Sequence, residues 1–171
     1  MNRVTIRPFE KHEWALYRDL RLRALSDAPD AFGSTYREAR RRPDAAWISY
    51  LDFDPMFERP LVAAVDRCPA GLVWGHIDAD HPDTAHVFQM WVAPEFRKQR
   101  LGAMLLDDVI GWATQYAVER VVLSVTCANS AARRLYERAG FLPDGEPEPL
   151  RPESDLCVQP MALVLGSLIR E

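Results

Sequence analysis

The spacing of hydrophobic and polar positions changes several times along the chain, and each spacing predicts its own type of element. Near the N-terminus apolar and polar residues alternate, which predicts a short strand ending at Pro8. From about Lys11 apolar residues recur every three to four positions, which predicts an amphipathic helix. Residues 31–43 are polar and basic, and a second short helix is predicted to begin after Pro43.

The remainder of the chain has the pattern of a sheet with crossover helices. The four-residue segments at Cys68–Gly71 and Asp80–Asp83 are predicted to be hairpin turns between early strands. Strands mixed with helices in this way predict an α/β domain (α+β mixed sheet). The predicted strands are Leu61–Val65, Leu72–Ile77, His86–Val92, Val121–Val125 and one near Leu156–Leu165, and the predicted helices cover residues 100–117 and 130–139.

Composition narrows the function classes. With 171 residues, 48% of them hydrophobic, we expect a single domain over residues 1–171. The net charge of −4 argues against a general nucleic-acid binder, and no apolar run reaches the length of a membrane span. The N-terminus lacks the apolar region of a signal peptide. Three cysteines far apart in sequence predict a reduced, cytoplasmic protein without a structural disulfide.

One candidate for binding chemistry is the segment Met90–Gly102, in which a strand enters a basic loop that opens into a helix. Unpaired N–H groups and the helix dipole attract an anion at such a helix start, and the three cations Arg97, Lys98 and Arg100 reinforce this. The geometry suits a diphosphate, although a solvated basic loop has the same charge pattern. The segment is neither a P-loop nor a GxGxxG fingerprint.

The second candidate is the segment Asn129–Phe141. Asn129 is a good N-cap, and Gly140 lies where a helix ends in the left-handed conformation. Phe141 is then expected to fold back against the turn that contains Tyr136. Taken alone, this is a well-capped short helix.

Together the two segments resemble the GNAT superfamily, the GCN5-related N-acetyltransferases. Residues Val92–Leu105 match V-x-P-x-x-R-x-x-x-[IL]-G-x-x-L, and Asn129–Phe141 match N-x-x-A-x-x-L-Y-x-x-x-G-F. The resemblance implies a twisted mixed sheet of about six to seven strands with helices on both faces. It also implies that the strands His86–Val92 and Val121–Val125 splay apart to admit a cofactor.

The resemblance implies acyl transfer from acetyl-CoA to an amine, without a metal, in a ternary complex. Main-chain amides of the basic loop would bind the pyrophosphate, and an amide of Met90 or Trp91 would polarise the thioester carbonyl. Tyr136 would protonate the departing thiolate, and Asn129 would contact the pantetheine arm. The residues implied to contact acetyl-CoA are Met90, Trp91, Val92, Arg97, Lys98, Gln99, Arg100, Leu101, Gly102, Ala103, Asn129, Ala132 and Tyr136.

Two positions depart from the family pattern. Arg100 stands where a glycine is usual, and we expect a helical conformation there, in which the arginine adds a cation near the phosphates. At the position of a frequent catalytic glutamate stands His86, whose imidazole titrates in the range useful to a general base. The alternatives for His86 are a surface histidine after a turn and a water relay that reaches Gln89.

Other features are given structural interpretations. The run His76-x-Asp78-x-Asp80-His81 has the pattern of a solvated hairpin rather than of a metal site, and Cys127 has no neighbouring base for an acyl-cysteine mechanism. The tryptophans are mostly core candidates, with Trp47 and Trp91 as alternative acceptor-pocket residues. A non-catalytic acyl-CoA sensor and a longer acyl donor stay open, as does a homodimer. The sequence does not identify the amine, be it a small molecule or a peptide.

Overall fold

One mixed sheet runs through the molecule, and helices cover both of its faces. The computed structural model describes residues 1–166; residues 167–171 lie outside the described part. The helices are α1 (Trp14–Asp27), α2 (Tyr36–Ala39), α3 (Asp44–Tyr50), α4 (Leu101–Gln115) and α5 (Ser130–Arg138). The strands are β1 (Val4–Pro8), β2 (Glu58–Val65), β3 (Cys68–Asp78), β4 (His81–Val92), β5 (Arg120–Thr126), β6 (Leu142–Pro143), β7 (Glu148–Pro149) and β8 (Cys157–Val164).

The strand order among the described residues is β1-β2-β3-β4-β5-β8-β6, and β7 also pairs with β8. The pair β4–β5 is parallel because helix α4 returns the chain to the same end of the sheet, and the other pairs are antiparallel. The predicted α/β architecture is thereby confirmed, with eight strands among the described residues where six or seven were expected; two of the eight are only two residues long. Whether residues 1–171 form a single domain stays a prediction.

Alternating residues of the strands supply two hydrophobic cores, one on each face. Leu61 and Val73 pack with α4 and α5 on what we call the α4/α5 face. Val62 and Trp74 pack with α1 and α3 on what we call the α1/α3 face. The period of two along a strand therefore determines which core each residue joins. Among the described residues no helix has both the length and the apolar character needed to cross a membrane.

Both hairpin turns lie earlier in the chain than predicted. The β2–β3 turn is formed by Asp66 and Arg67, with φ of 48° and 70°, so Cys68 already belongs to β3. The β4 strand likewise begins at His81. The sequence prediction placed the turns at proline and glycine residues, but in the structure these residues lie within strands β3 and β4. Helix α2 was also missed; the side chains of Thr35 and Glu38 cap it reciprocally.

The prediction of three unpaired cysteines is wrong, because a disulfide joins Cys127 and Cys157. Antiparallel pairing of β5 with β8 places Thr126 opposite Val158, which brings the next residue, Cys127, to a Cα–Cα distance of 5.6 Å from Cys157. Their separation of 30 residues carries no spacing signal in the sequence. The argument for a cytoplasmic location from reduced cysteines therefore fails. Cys68 is an exposed free cysteine.

Candidate active site

Strands β4 and β5 separate in the middle of the sheet. Their parallel pairing ends at His86 and Val122, although β4 continues to Val92 and β5 to Thr126. A bulge at Gln89, whose φ is +59°, accompanies this separation and shifts the register of β4 against β3. Because a bulge bends its strand, the facing edges diverge and leave backbone groups available to a ligand. The implied splaying of these two strands is therefore present.

The loop after β4 presents consecutive backbone donors at the start of α4. Within residues 1–166, none of the six N–H groups from Lys98 to Ala103 donates a hydrogen bond. Lys98 and Arg100 both have left-handed backbones, with φ of 62° and 65°. Such alternation makes a concave row of N–H groups, and the helix dipole adds positive potential. This row, which we call the amide cradle (Lys98–Ala103), has the chemistry of a diphosphate site.

The expected helical conformation of Arg100 is wrong. Its φ of 65° and ψ of 13° are left-handed, so this position does have the geometry that suits glycine. An L-residue with a Cβ is less stable in that conformation by about 1–2 kcal/mol. The left-handed turn redirects the chain from the loop into α4, and the conformation is kept despite the arginine.

Side chains on either side of the cradle hold it in place. Arg97 donates from Nε to the carbonyl oxygen of Val92 at 3.0 Å and forms a salt bridge with Asp27 at the end of α1. Asp27 also accepts a hydrogen bond from the indole Nε1 of Trp91 at 2.9 Å. That bond and the Arg97 guanidinium keep the pKa of Asp27 below its usual range. The Arg97 side chain therefore anchors the loop to β4 and α1, and its own N–H donates to the carbonyl oxygen of Pro94 at 3.3 Å.

Close packing beside the cradle explains Gly102. A Cβ at Gly102 would lie 3.2 Å from Cδ2 of Leu135 on α5, so the start of α4 rests against α5. Leu101 is buried beneath the loop, and Met90 and Val92 also contact the α4/α5 core with their side chains. The cradle is therefore supported from below by apolar contacts.

Helix α5 has both predicted caps. The Asn129 side chain accepts a hydrogen bond from the N–H of Ala132 at 3.1 Å. At the other end Gly140 has a φ of +100°, and the N–H of Phe141 donates to the carbonyl of Tyr136 at 3.0 Å. These are the bonds of a Schellman ending, and the rings of Phe141 and Tyr136 meet edge to face. The ring of Tyr136 is thereby fixed against the α4/α5 core.

Tyr136 has a buried ring, and its hydroxyl is available to a ligand. The residue is 7% exposed, and within residues 1–166 its hydroxyl makes no hydrogen bond. Burial raises its pKa to about 12, so the hydroxyl keeps its proton at neutral pH. A phenol in this state can donate a proton, as the predicted role requires, and cannot act as a base.

His86 lies on the α1/α3 face of the sheet, opposite His76 across the β3–β4 pair. The two imidazole centroids are 6.2 Å apart, and the Phe88 ring is stacked 6.2 Å from His86. Burial lowers the pKa of His86, and the neighbouring His76 lowers it further. The neutral imidazole of His86 therefore predominates at pH 7.

Glu58, which the sequence pattern did not single out, fixes a second imidazole, that of His76. Its Oε1 lies 2.6 Å from Nδ1 of His76, and its Oε2 accepts a hydrogen bond from the indole of Trp74. Residue 58 pairs with residue 76 in the β2–β3 ladder, which explains the contact. A carboxylate that orients an imidazole in this way prepares it to accept a proton on its other nitrogen.

A cavity of about 370 Å³ opens on the α1/α3 face beside the β4 bulge. His76 and Gln89 contribute to its wall, whereas the predicted catalytic residues His86 and Tyr136 do not. Trp47 and Trp91 are buried in the core behind it and do not line it. Its lining residues are Tyr17, Arg21, Ser34, Arg42, Tyr50, Glu58, Trp74, His76, Phe88 and Gln89.

Known proteins resemble this chain both in sequence and in fold. The sequence profile of the acetyltransferase (GNAT) family matches residues 15–141, which is more than half of the chain. The chain belongs to the GNAT family.

Individual GNAT relatives support this assignment. A mycothiol acetyltransferase from Beutenbergia cavernae is 29% identical over 136 residues, which cover 78% of this chain and 42% of that protein. The chain thus matches less than half the length of this curated relative. A GNAT acetyltransferase from Streptococcus pneumoniae superposes with a TM-score of 0.83 at 21% identity, covering 96% of this chain and 100% of that one.

A second solved structure adds a ligand to the comparison. A putative acetyltransferase from Salmonella typhimurium, determined with its cofactor acetyl-CoA, has a TM-score of 0.80 at 19% identity and covers 96% of this chain and 95% of that one. Both structural likenesses establish the GNAT fold.

Proposed function

We propose that this chain transfers an acetyl group from acetyl-CoA to a primary amine by direct transfer in a ternary complex. The observation that carries the proposal is the amide cradle lying at the end of the splayed strand β4. An elongated thioester with a diphosphate needs both features, because its arm requires free strand edges and its phosphates require N–H donors. Membership of the GNAT family supports the same chemistry.

The residues around the splay would hold acetyl-CoA as follows. The N–H groups of the cradle would bind the pyrophosphate, and the Lys98 and Arg100 cations would add attraction. The end of β4 from Met90 to Val92 would lie along the pantetheine arm, with Asn129 and Ala132 on the facing side. An N–H of Met90 or Trp91 would polarise the thioester carbonyl, and the thioester supplies the activated acyl group.

Tyr136 would protonate the departing thiolate. Its hydroxyl has no acceptor or donor partner within residues 1–166, and its raised pKa of about 12 keeps the proton in place. Its ring is fixed from one side by Phe141, so the hydroxyl position is determined by packing. These properties suit a positioned general acid.

The proton of the amine would leave toward the imidazole pair His86 and His76. The lowered pKa of His86 supports the predicted base, since its neutral form is the proton acceptor. His76 is the second candidate, because it lines the cavity and Glu58 fixes its orientation. The matched variants His86→Gln and His76→Gln separate the two roles.

Direct transfer is supported by the state of the cysteines. Cys127, the cysteine next to the splay, is joined to Cys157 and is not a nucleophile in this state. Cys68 is exposed at the start of β3, away from the cavity lining. An acyl-cysteine step therefore has no support in this geometry.

The test is steady-state kinetics of CoA thiol release with acetyl-CoA and a panel of primary amines. Intersecting double-reciprocal lines are expected, since both substrates must be bound together; parallel lines would contradict direct transfer. Hexanoyl-CoA in place of acetyl-CoA tests a longer donor. Binding of acetyl-CoA without turnover of any amine would instead establish a sensor.

A further inference from the structure

A buried cation without a partner lies in the wall of the cavity. Arg21 on α1 is 4% exposed, and within residues 1–166 its Nη1 atom is enclosed and has no hydrogen-bond partner. The guanidinium lies over the Phe32 ring at 4.6 Å. Burial lowers the pKa of Arg21 to about 10, so it remains charged at neutral pH. A buried charge of this kind is costly unless an anion reaches it.

A second guanidinium lies in the same wall. Arg42 stacks on the rings of Trp47 and Tyr50, and in the described part of the chain neither Arg42 nor Arg21 has a carboxylate partner. We call this pair the arginine end of the cavity. Within residues 1–166 neither of its two positive charges has a salt-bridge partner, and Glu38 acts on Arg42 only from a longer distance.

Within the described part of the chain, the opposite wall of the cavity has no arginine and carries a carboxylate and an imidazole instead. Glu58 is the one acidic residue among those that line the cavity, and its oxygens are engaged with His76 and Trp74. Tyr17, one turn before Arg21, donates to Gln89 at 2.7 Å and so connects helix α1 to the bulge in β4. The cavity thus has a cationic end on α1 and an imidazole end on the sheet.

We propose, building on the proposed acetyl transfer, that the acceptor is a free α-amino acid whose carboxylate binds Arg21 and Arg42. Its amine would then lie toward His76 and the splay, and its side chain would contact the rings of Trp74 and Phe88. The planar guanidinium fork matches a carboxylate, whereas a polyamine would meet two like charges. The volume of about 370 Å³ suits a small molecule.

The reaction balances without a further reagent. The amine nitrogen forms a bond to the acetyl carbon, and the carbon–sulfur bond of the thioester breaks. The proton that the amine loses is matched by the one that the thiolate gains, which gives an N-acetyl amino acid and free CoA.

The test compares L-leucine, L-phenylalanine and L-glutamine with their α-carboxamides and with spermidine, by CoA thiol release. We expect kcat/KM for the best free acid to exceed that of its carboxamide by at least about 100-fold, because the amide leaves the arginine end unpaired. Equal or faster reaction of the carboxamides or spermidine, or no reaction of any free acid, would overturn the proposal while leaving acetyl transfer intact.

Arg21→Met tests the residue itself, since it removes the buried charge and keeps similar bulk. The preference for the free acid should fall below about tenfold, with the melting temperature unchanged or higher, because an unpartnered charge is lost. Arg18→Met, on the same helix but outside the cavity lining, should keep the preference. Arg42→Gln should also reduce the preference for the free acid, and we expect this variant to disturb the fold less than Arg21→Met does.

The remaining outcomes are also decisive. A lower melting temperature in Arg21→Met with the acid preference kept would assign Arg21 a structural role. Turnover of no amine, together with no thermal shift on adding acetyl-CoA, would overturn the acetyl transfer and this inference with it.

Discussion

The candidate sites on the two sides of the sheet are built from different chemical groups. On the α4/α5 face the candidate cofactor site is made of backbone, namely the amide cradle and the free edges of β4 and β5. On the α1/α3 face the candidate acceptor site is made of side chains, with two guanidinium groups at one end and the imidazole of His76 at the other. Backbone donors tolerate many sequences, whereas the side-chain site changes with each substitution.

This difference separates what the family shares from what this chain adds. A cradle of N–H groups would recognise the diphosphate common to every CoA thioester. A cavity with two guanidinium groups that lack salt-bridge partners would select among amines, since a like charge is repelled there and a carboxylate is not. Substitutions on each side should therefore have separable effects.

Tyr136→Phe is expected to lower kcat by about 10²–10⁴-fold, because it removes the proposed proton donor. The affinity for acetyl-CoA and the melting temperature should change little, since the lost hydroxyl has no hydrogen bond within residues 1–166. Tyr116→Phe, at an exposed position directly after the end of α4, is the matched control. A kcat within twofold of the unaltered protein would remove Tyr136 from the mechanism.

Removing the disulfide should destabilise the cofactor side. The Cys127→Ser, Cys157→Ser double variant is expected to lose about 2–4 kcal/mol of unfolding free energy, because the bond closes a loop of 30 residues. Cys127 precedes the N-cap Asn129 by two residues, so acetyl-CoA affinity should fall as well. Denaturant unfolding measures the loss, and Cys68→Ser should match the unaltered protein. Equal stability of the double variant would contradict a structural bond.

Acid pH should lower kcat through the imidazole pair. The folded pKa of His86 is below its ordinary value of 6.5, so protonation is delayed and kcat should fall only as the pH drops below that value. The groups that set this pKa are His76, Asp78 and Arg120. His86→Gln should lower kcat at pH 7 by about tenfold or more if the imidazole accepts the proton.

Two comparisons decide the assignment of the base. If His76→Gln abolishes the acidic limb of the kcat profile and His86→Gln leaves it, His76 is the base.

The lowered pKa of His86 also affects stability in a defined direction. Between the folded pKa and 6.5 the unfolded chain binds more protons, so the unfolding free energy should decrease as the pH falls through that window.

Arg100→Gly is expected to have the smallest effect. Glycine removes the backbone strain of a left-handed arginine, and this gain should offset the greater conformational freedom of glycine in the unfolded chain. The unfolding free energy should therefore stay the same or rise by up to about 1 kcal/mol. Gln99→Gly, next to it but without a positive φ, should instead lose about 0.5–1 kcal/mol. A loss in Arg100→Gly as large as in Gln99→Gly would contradict strain at Arg100.

The cofactor side was largely predictable because its determinants are contiguous in sequence. The loop and helix start from Val92 to Leu105 are fixed by local backbone preferences, and the Asn129 and Gly140 caps are local as well. What the local pattern missed is the conformation of Arg100. A left-handed arginine is disfavoured locally and persists only because the surrounding loop and α5 enforce the turn.

The acceptor side was not predictable because it depends on strand register. Glu58 meets His76, and His76 meets His86, only through the β2–β3 and β3–β4 ladders. Placing the first turn at Cys68–Gly71 instead of Asp66 and Arg67 changes that register and separates these residues. The disulfide was not predictable for the same reason, since its two cysteines are brought together by the pairing of β5 with β8.

We expect the backbone site to bind acetyl-CoA independently of the side-chain site. The decisive measurement is thermal unfolding of the unaltered protein and of Arg21→Met, each with and without acetyl-CoA and with ATP as the control. At 100 times Kd the ligand should stabilise both proteins by about 2.7 kcal/mol, a shift of about 5–10 °C, while ATP does not. No shift of the unaltered protein at millimolar acetyl-CoA, or a shift that is lost in Arg21→Met, would contradict this expectation.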